Sequence, residues 1–193
     1  MKFNIKKWFL IFGVLATSFT VSSVQADEPG TANGEWHHYT GDIKGSRYSP
    51  LSQITADNFE DLELVWSFST KNLGTRSEYK LEVTPIMIGG VLYATAGTRR
   101  TAIALDGQTG ELMWMHSMRE GLRGGMAPRQ LSGRGLSYWS DGKGDDRVLY
   151  VTTGYRLIAL NAHTGVPINS FGIDGNGILD LKIGAVQGNE VQI

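Results

Sequence analysis

Three features of the 193-residue sequence predict an all-β fold built from a repeated unit. Helix signals are nearly absent, because beyond the first residues no segment carries a clean apolar stripe at helical spacing. Glycine is abundant, at 25 residues, and short apolar and aromatic runs lie between polar turns. The third feature is an internal repeat. Four short antiparallel strands per repeat are typical of a β-propeller blade, so the chain predicts a partial β-propeller.

The repeat is visible when Val91–Trp114 is aligned with Val148–Phe171. The Thr-Gly pairs at 109–110 and 164–165 lie 55 residues apart, and each follows an apolar strand-like run. Both copies read as a strand, a polar turn and a second strand. We expect the large, apolar Trp114 that closes the first copy to pack between neighbouring blades.

Each turn of the repeat contains residues suited to holding its own backbone. Asp106 and Asn161 can accept hydrogen bonds from amides two residues further on. Gly110 and Gly165 can adopt a left-handed conformation without a steric penalty. We therefore expect these residues to build the fold and to contact no ligand.

The remaining elements are short and follow one another along the chain. The Gly89-Gly90 pair suits a primed hairpin turn, in which both residues can have positive φ. A helical turn is predicted at Thr55–Leu62, with Thr55 as its N-cap. The predicted strands are Leu62–Thr70, Thr84–Ile88, Val91–Ala96, Thr101–Asp106, Leu112–His116, Val148–Thr152 and Arg156–Asn161.

The first 26 residues read as a secretory signal peptide. Three lysines precede an uncharged, mostly apolar run from Trp8 to Val21, and Val24-Gln25-Ala26 supplies the small-x-small cleavage pattern. The strongly apolar part is short for a span of about 30 Å, so we expect no stable membrane span and a periplasmic location. The predicted domains are 1–26, the signal peptide; 27–61, an N-terminal segment; and 62–193, the first blades of an incomplete propeller.

Charge and cysteine usage exclude several classes of function. Removing the signal peptide takes away three lysines and no acidic residue, which leaves 15 basic and 19 acidic residues. No basic block is present, so we expect no binding to nucleic acid. The chain has no cysteine, so an exported form has no disulfide and no site for a lipid anchor, and must depend on its core.

The repeat pattern, Ala-x-Asp/Asn-x-x-Thr-Gly-x-x-x-Trp, resembles that of the quinoprotein dehydrogenases. These are periplasmic enzymes that oxidise alcohols or sugars with pyrroloquinoline quinone (PQQ). Three further segments resemble the family in the same order along the chain: Trp36–Leu51, Glu82–Pro85 and Arg134–Trp139. The resemblance runs from about Trp36 to Lys182. It implies an eight-bladed quinoprotein propeller, of which this chain holds about two four-stranded antiparallel blades.

The resemblance implies cofactor contacts for three residues. PQQ carries three carboxylates, and a guanidinium offers a planar fork that matches a carboxylate. Arg134, in a glycine-rich segment, falls at the family's cofactor-carboxylate arginine, and Glu82 at a glutamate that lies against the cofactor. Thr152 or Thr153 falls at a cofactor-binding threonine, and we favour Thr153. The alternative for Arg134 and Glu82 is a solvated side chain at a strand end.

No metal ligand and no catalytic residue is expected within the chain. The four histidines, His37, His38, His116 and His163, lack metal-ligand spacing and read as packing or surface residues. The resemblance implies a Ca²⁺ ion, but its ligands and the catalytic Asp base are expected beyond Ile193. Because eight blades of about 55 residues need more than about 400 residues, we expect an N-terminal fragment that is inactive alone.

The resemblance implies an alcohol or sugar as substrate and a cytochrome or quinone as electron acceptor. Alcohol-oxidising members carry a vicinal disulfide where this chain has Pro128-Arg129. This difference favours the cysteine-free, glucose-dehydrogenase-like relatives, and sugars, polyols and other alcohols stay open. One alternative is a non-catalytic propeller scaffold of the cell envelope, which needs neither Glu82 nor Arg134. Another is a stand-alone binding module of two blades, whose open strand edges favour aggregation.

Overall fold

Two four-stranded antiparallel sheets make up most of the computed structural model, which describes residues 30–131, 133 and 135–181. Within each sheet, strands that are consecutive in sequence are hydrogen-bonded neighbours. The all-β prediction of about two four-stranded blades is therefore confirmed. The predicted signal peptide lies outside the described residues. The strands are β1 Ile86–Ile88, β2 Val91–Ala96, β3 Thr101–Asp106, β4 Leu112–His116, β5 Ser137–Ser140, β6 Asp146–Val151, β7 Arg156–Asn161 and β8 Ile178–Asp180.

Helical structure in the described residues is limited to three short elements: the α-helix α1, Gly121–Gly125, and the 3-10 helices Ala32–Gly34 and Phe59–Asp61. The last lies within the predicted helical turn, but Thr55 is not its N-cap. The Thr55 amide instead donates to Asn58 Oδ1 at 2.8 Å, and Asn58 directly precedes the helix. None of these helices is long and apolar enough to cross a membrane.

The sequence pattern predicted four strands with their observed bounds and two with shifted bounds. The predicted strand Thr84–Ile88 begins two residues later, as β1, and the predicted strand Val148–Thr152 is β6, which begins two residues earlier and ends one residue earlier. β2, β3, β4 and β7 have the bounds that the sequence pattern predicts. Gly89 and Gly90 join β1 to β2 with φ of 58° and 80°, as a primed turn requires. The pattern missed β5 and β8, because Ser137–Ser140 is largely exposed and Ile178–Asp180 has only three residues.

The predicted strand at Leu62–Thr70 is wrong for the described structure. Burial alternates only from Trp66 to Thr70, where Trp66 and Phe68 are half-buried against the first sheet, whereas the adjacent Leu64 and Val65 are 84% and 83% exposed. A strand also requires a hydrogen-bonded neighbour, and no described residue forms a ladder with this segment. The side-chain pattern is therefore present without the backbone pairing.

The main core lies between the two sheets. Tyr93 and Trp114 of the first sheet face Val148, Tyr150 and Leu160 of the second, and all five are buried. The opposite face of the first sheet packs on a smaller cluster that includes Trp66 and Phe68. The first sheet is thus covered on both faces, as expected for a blade with a neighbour on each side.

Trp114 joins the two sheets at the turn between β7 and β8. Its indole Nε1 donates to the Ala162 carbonyl at 2.8 Å, and the Tyr93 hydroxyl donates to the same oxygen at 3.2 Å. The indole ring lies over Gly165, where an added Cβ would be 2.6 Å from the ring. Gly165 also has a φ of 70°, so both space and backbone require glycine here.

The same contact occurs one repeat earlier. Trp66 donates from Nε1 to the Gly107 carbonyl at 3.2 Å, and a Cβ on Gly110 would lie 2.5 Å from its ring. Gly107 and Ala162 are equivalent positions of the two turns. The docking predicted for Trp114 and the left-handed conformation predicted for Gly110 and Gly165 are therefore confirmed.

The two docking turns are held by the same hydrogen bonds. Asp106 Oδ1 accepts the amide and the hydroxyl of Thr109, at 2.7 and 3.0 Å, and these bonds lower the pKa of Asp106. Asn161 Oδ1 accepts the amide and the hydroxyl of Thr164, at 3.0 and 3.2 Å. The Asp106 carboxylate and the Asn161 amide oxygen thus accept equivalent hydrogen bonds from the turn, as the alignment of the repeats predicts.

Gly165→Ala should destabilise the chain strongly. Gly142 provides a matched control, because its φ is 69° and no atom lies within 4 Å of an added Cβ. Gly142→Ala should cost about 1 kcal/mol from backbone strain alone. Gly165→Ala should cost roughly 1–3 kcal/mol more, because its methyl group displaces Trp114. Urea unfolding followed by tryptophan fluorescence measures both, and equal losses would contradict the docking argument.

His116 gives the fold a dependence on pH. Its Nδ1 is 2.9 Å from the Tyr150 hydroxyl between the sheets, and burial lowers the pKa of His116. The unfolded chain therefore binds a proton more readily below the ordinary histidine pKa of about 6.5. The free energy of unfolding should fall as the pH drops below that value, by at most about 1.4 kcal/mol per pH unit.

The variant His116→Phe should lose this slope between pH 7 and pH 5. His38→Gln, a change at an exposed histidine, should keep it. Urea unfolding at several pH values measures the slope. A slope in His116→Phe equal to that of the unsubstituted chain would assign the pH dependence to other groups.

Candidate functional site

The loops that carry the predicted site residues leave from one end of the two sheets. In an antiparallel meander, the β2–β3 turn lies at the same end as the connections that enter β1 and leave β4. The β6–β7 turn lies at this same end, because Arg100 of the β2–β3 turn donates hydrogen bonds to the carbonyls of Val151 and Thr152, where β6 ends. The docking turns lie at the opposite end, so the structural repeat and the candidate site are separated.

A cavity of about 560 Å³ lies at this end of the molecule. Three connections line it, namely the one before β1, the β2–β3 turn and the one between β4 and β5. Among the described residues, four cationic side chains and a single carboxylate line it: Arg76, Lys80, Arg100, Arg129 and Glu82. Such an excess of positive charge suits an anionic ligand.

Glu82 lies in the wall of this cavity, where the sequence predicts a cofactor contact. Its carboxylate is 3.1 Å from Lys80 Nζ, and its side chain is 53% exposed. An ion pair this exposed contributes little to stability. Glu82 is therefore accessible to a ligand.

Arg134 lies outside the described residues, but both of its neighbours are described. Gly133 lines the same cavity as Glu82. Gly135 has a φ of 106°, and a Cβ there would lie 2.8 Å from the Thr84 carbonyl oxygen. The structure thus brings together the two segments that the sequence singles out, around Glu82 and around Arg134.

Arg100 is a residue of this site that the sequence did not reveal. Burial lowers the pKa of its guanidinium, whose described hydrogen bonds all go to backbone carbonyls. The acceptors are those of Leu131 and Arg129, at 3.1 Å each, and of Val151 and Thr152, at 3.1 and 3.2 Å. Arg100 thereby ties the segment that leads to Arg134 to the end of β6.

Thr153 lies in a different cavity from Glu82. This second cavity has a volume of about 290 Å³, and Gln130 lines both. Thr153 is 7% exposed and borders the second cavity, whereas Thr152 is 1% exposed and lines neither. Of the two threonines, Thr153 is therefore the one placed to meet a ligand, and its contact with a cofactor stays a prediction.

Glu120 also lies in the second cavity and was likewise missed. Its side chain is only 1% exposed, and its carboxylate forms an ion pair of 2.6 Å with Arg156. It also accepts hydrogen bonds from the Thr152 and Thr153 hydroxyls and from the Gly154 amide. In the sequence, Glu120 stands in a glycine-rich, charged stretch that reads as a solvated loop, so no local signal distinguishes it.

Arg123 holds the same turn from the side of α1. Its Nε donates to the Gly154 carbonyl at 2.6 Å, and its Nη1 and Nη2 donate to the two Asp180 oxygens at 2.5 and 2.8 Å. These bonds raise the pKa of Arg123. The β6–β7 turn is thus fixed through its amide, its carbonyls and its hydroxyls.

Within the described part of the chain, no cluster of three or more histidine, cysteine, aspartate or glutamate side chains could hold a metal ion. His116 packs on Tyr150, and His163 Nε2 is 2.9 Å from Asp146 Oδ2. The described residues at this end form a cavity lined by four cations and one carboxylate, and Thr153 borders the cavity beside it.

Comparison with known proteins gives consistent matches. The family model for the β-propeller domain of PQQ-type glucose/ethanol/alcohol dehydrogenases matches residues 36–192. The quinoprotein glucose dehydrogenase of Gluconobacter oxydans is 30% identical over 189 residues, which cover 90% of this chain and 23% of that protein. The 1-butanol dehydrogenase (cytochrome c) of Thauera butanivorans is 37% identical over 137 residues, which cover 69% and 18%.

A solved structure shows the same fold. The quinohemoprotein alcohol dehydrogenase from Comamonas testosteroni aligns with a TM-score of 0.56 and 30% sequence identity, over 70% of this chain and 19% of that one. The chain thus spans about a fifth of the length of the relatives it matches. Since the family model covers most of the sequence, the chain belongs to the PQQ-dependent glucose/ethanol/alcohol dehydrogenase β-propeller family.

Proposed function

We propose that this chain forms the N-terminal part of a periplasmic quinoprotein dehydrogenase that oxidises alcohols or sugars with PQQ and calcium. The observation that carries the proposal is the cationic cavity beside Glu82. Four cationic side chains line this cavity, and Gly133, which directly precedes Arg134, forms part of its wall. A propeller scaffold without a cofactor needs no such excess of positive charge.

The donors in this cavity fit the chemistry of PQQ. Its three carboxylates need fixed cationic partners, and arginine offers paired N–H groups in one plane. Arg134 takes a cofactor carboxylate in the proposal, and Arg100 keeps the neighbouring loop in place through its carbonyl bonds. The glycine at 135 lets the backbone lie against Thr84, so that both motifs reach one ligand.

The cofactor supplies the redox chemistry when it is bound, by accepting the electrons removed from the substrate. The residues of this chain bind and orient it. Glu82 accepts hydrogen bonds at the cavity wall, and Thr153 borders the adjoining space. The proposal assigns the calcium ligands and the catalytic Asp base to the rest of the enzyme, since this chain spans about a fifth of the length of the relatives it matches.

The partners follow from the same proposal. The substrate is an alcohol or a sugar, as the names of the matched relatives suggest. The electron acceptor is a cytochrome or a quinone, and one matched relative is itself named for cytochrome c. The periplasmic location rests on the signal-peptide pattern of the first 26 residues.

Arg134→Gln should weaken the binding of PQQ. A hydrogen bond between charged groups contributes about 1.5–3 kcal/mol, so the Kd should rise at least about tenfold. Quenching of tryptophan fluorescence on titration with PQQ measures it. Arg147→Gln is the matched control, since Arg147 pairs with Asp145 and lines neither cavity. Equal affinities for all three proteins would exclude Arg134 from the cofactor site.

The purified segment 27–193 should not turn over substrate. It lacks the assigned base and calcium ligands, so PQQ and Ca²⁺ together should give no dye reduction above the PQQ-only rate with glucose, ethanol or glycerol. A spectrophotometric dye-reduction assay measures this. Robust reduction that requires protein, PQQ and substrate would show that the chemistry resides in these residues.

A further inference from the structure

The buried carboxylate of Glu120 is bonded on both of its oxygens. Oε1 accepts from Arg156 Nη1 at 2.6 Å and from the Thr152 hydroxyl at 2.9 Å. Oε2 accepts from the Gly154 amide at 2.7 Å and from the Thr153 hydroxyl at 3.1 Å. A guanidinium and a backbone amide can only donate, so each oxygen of Glu120 must act as an acceptor.

The directions of the two threonine hydrogen bonds follow from this. A carboxylate has no proton to donate, so both hydroxyls must donate to Glu120. Each hydroxyl has a single proton, and that proton is therefore used. What Thr152 and Thr153 can still offer to other groups is the lone pairs of their oxygens.

The two threonines differ in what uses those lone pairs. Thr152 Oγ1 accepts the Arg156 amide at 3.1 Å and is enclosed in the protein. Thr153 Oγ1 accepts no hydrogen bond from a described residue, although Thr153 is 93% buried and borders the 290 Å³ cavity. The lone pairs of this oxygen are therefore open to a donor in the cavity.

The surroundings hold the backbone of the turn that carries Thr153. An added Cβ on Gly154 would lie 2.6 Å from Glu120 Oε1, so the turn packs directly on the carboxylate. Arg123 holds the Gly154 carbonyl from the other side, and Arg100 holds that of Thr152. The backbone on both sides of Thr153 is therefore fixed, and its hydroxyl is directed by the bond to Glu120 Oε2.

We infer that Glu120 is a positioning residue that makes Thr153 an obligate hydrogen-bond acceptor toward the cavity. At Thr153 a ligand must then present a hydrogen-bond donor, an N–H or an O–H, and not a carboxylate. The inference rests on the proposed function for the identity of the ligand. In oxidised PQQ the N–H donor is the pyrrole nitrogen, and in the reduced form the ring hydroxyls are donors as well.

The first test needs no cofactor. In NMR spectra of the purified chain, the Thr153 hydroxyl proton should exchange slowly enough with water to be seen, because it is buried on a carboxylate. It should disappear in Glu120→Gln, and the Gly154 amide should exchange at least about tenfold faster there. Thr153→Ser should retain a protected hydroxyl proton. Exchange of the wild-type proton at the rate of an exposed serine would overturn the inference, whether or not PQQ binds.

The second test uses PQQ in both redox states and its analogue methylated at the pyrrole nitrogen. Thr153→Val should raise the Kd about five- to tenfold for the form whose donor faces Thr153, and Thr153→Ser should restore it. A loss with oxidised PQQ that is absent with the methylated analogue assigns the pyrrole N–H. A loss confined to reduced PQQ assigns a ring hydroxyl.

The remaining outcomes separate the inference from the proposed function. The inference is overturned if Thr153→Val leaves the Kd unchanged for oxidised PQQ, reduced PQQ and the methylated analogue, or raises it equally for all three. In either result, Arg134→Gln still tests the cofactor site independently. If wild-type chain binds no form of PQQ, the proposed ligand fails, and the hydroxyl exchange alone decides the role of Glu120.

Discussion

The contact between an indole ring and a glycine turn organises this molecule. Trp114 closes one sheet, lies over Gly165 of the next and donates its N–H to the Ala162 carbonyl. The contact works only because the turn has no side chain at its left-handed position and presents a carbonyl. It fixes the distance between the sheets, and the packing of Tyr93 and Tyr150 follows from that distance.

The opposite end of the sheets depends on buried charge. Arg100 holds carbonyls of two segments, and Glu120 holds hydroxyls and an amide of the β6–β7 turn. Burying single charges is expensive unless hydrogen bonds replace the lost water, and both groups have several. The two ends are thus stabilised differently. Packing of tryptophan on a turn sets the spacing of the sheets at one end, and buried ion pairs and hydrogen bonds hold the loops at the other.

The sequence predicted the elements whose signals repeat. Strands β2, β3 and β7 and the docking turns occur in copies, so each copy supports the other. Glu120 and Arg100 occur once, in glycine-rich loops with several other charges, and only their three-dimensional partners distinguish them. The pattern at Leu62–Thr70 shows a further limit: alternation reports which side chains face inward, whereas a strand depends on a neighbour elsewhere in the chain.

The spacing of the two tryptophan contacts has a consequence for how such chains can change over time. Trp66 reaches a carbonyl 41 residues further along, and Trp114 reaches its own 48 residues further along. Part of this difference lies in the connection that follows each tryptophan at the cavity end, and the rest lies in β5 and in the β5–β6 turn, which is longer than the Gly89-Gly90 turn and is at the opposite end. The turn that receives each tryptophan keeps one length. Both ends of the sheets therefore accommodate loops of different length, while the geometry that stacks the sheets is unchanged.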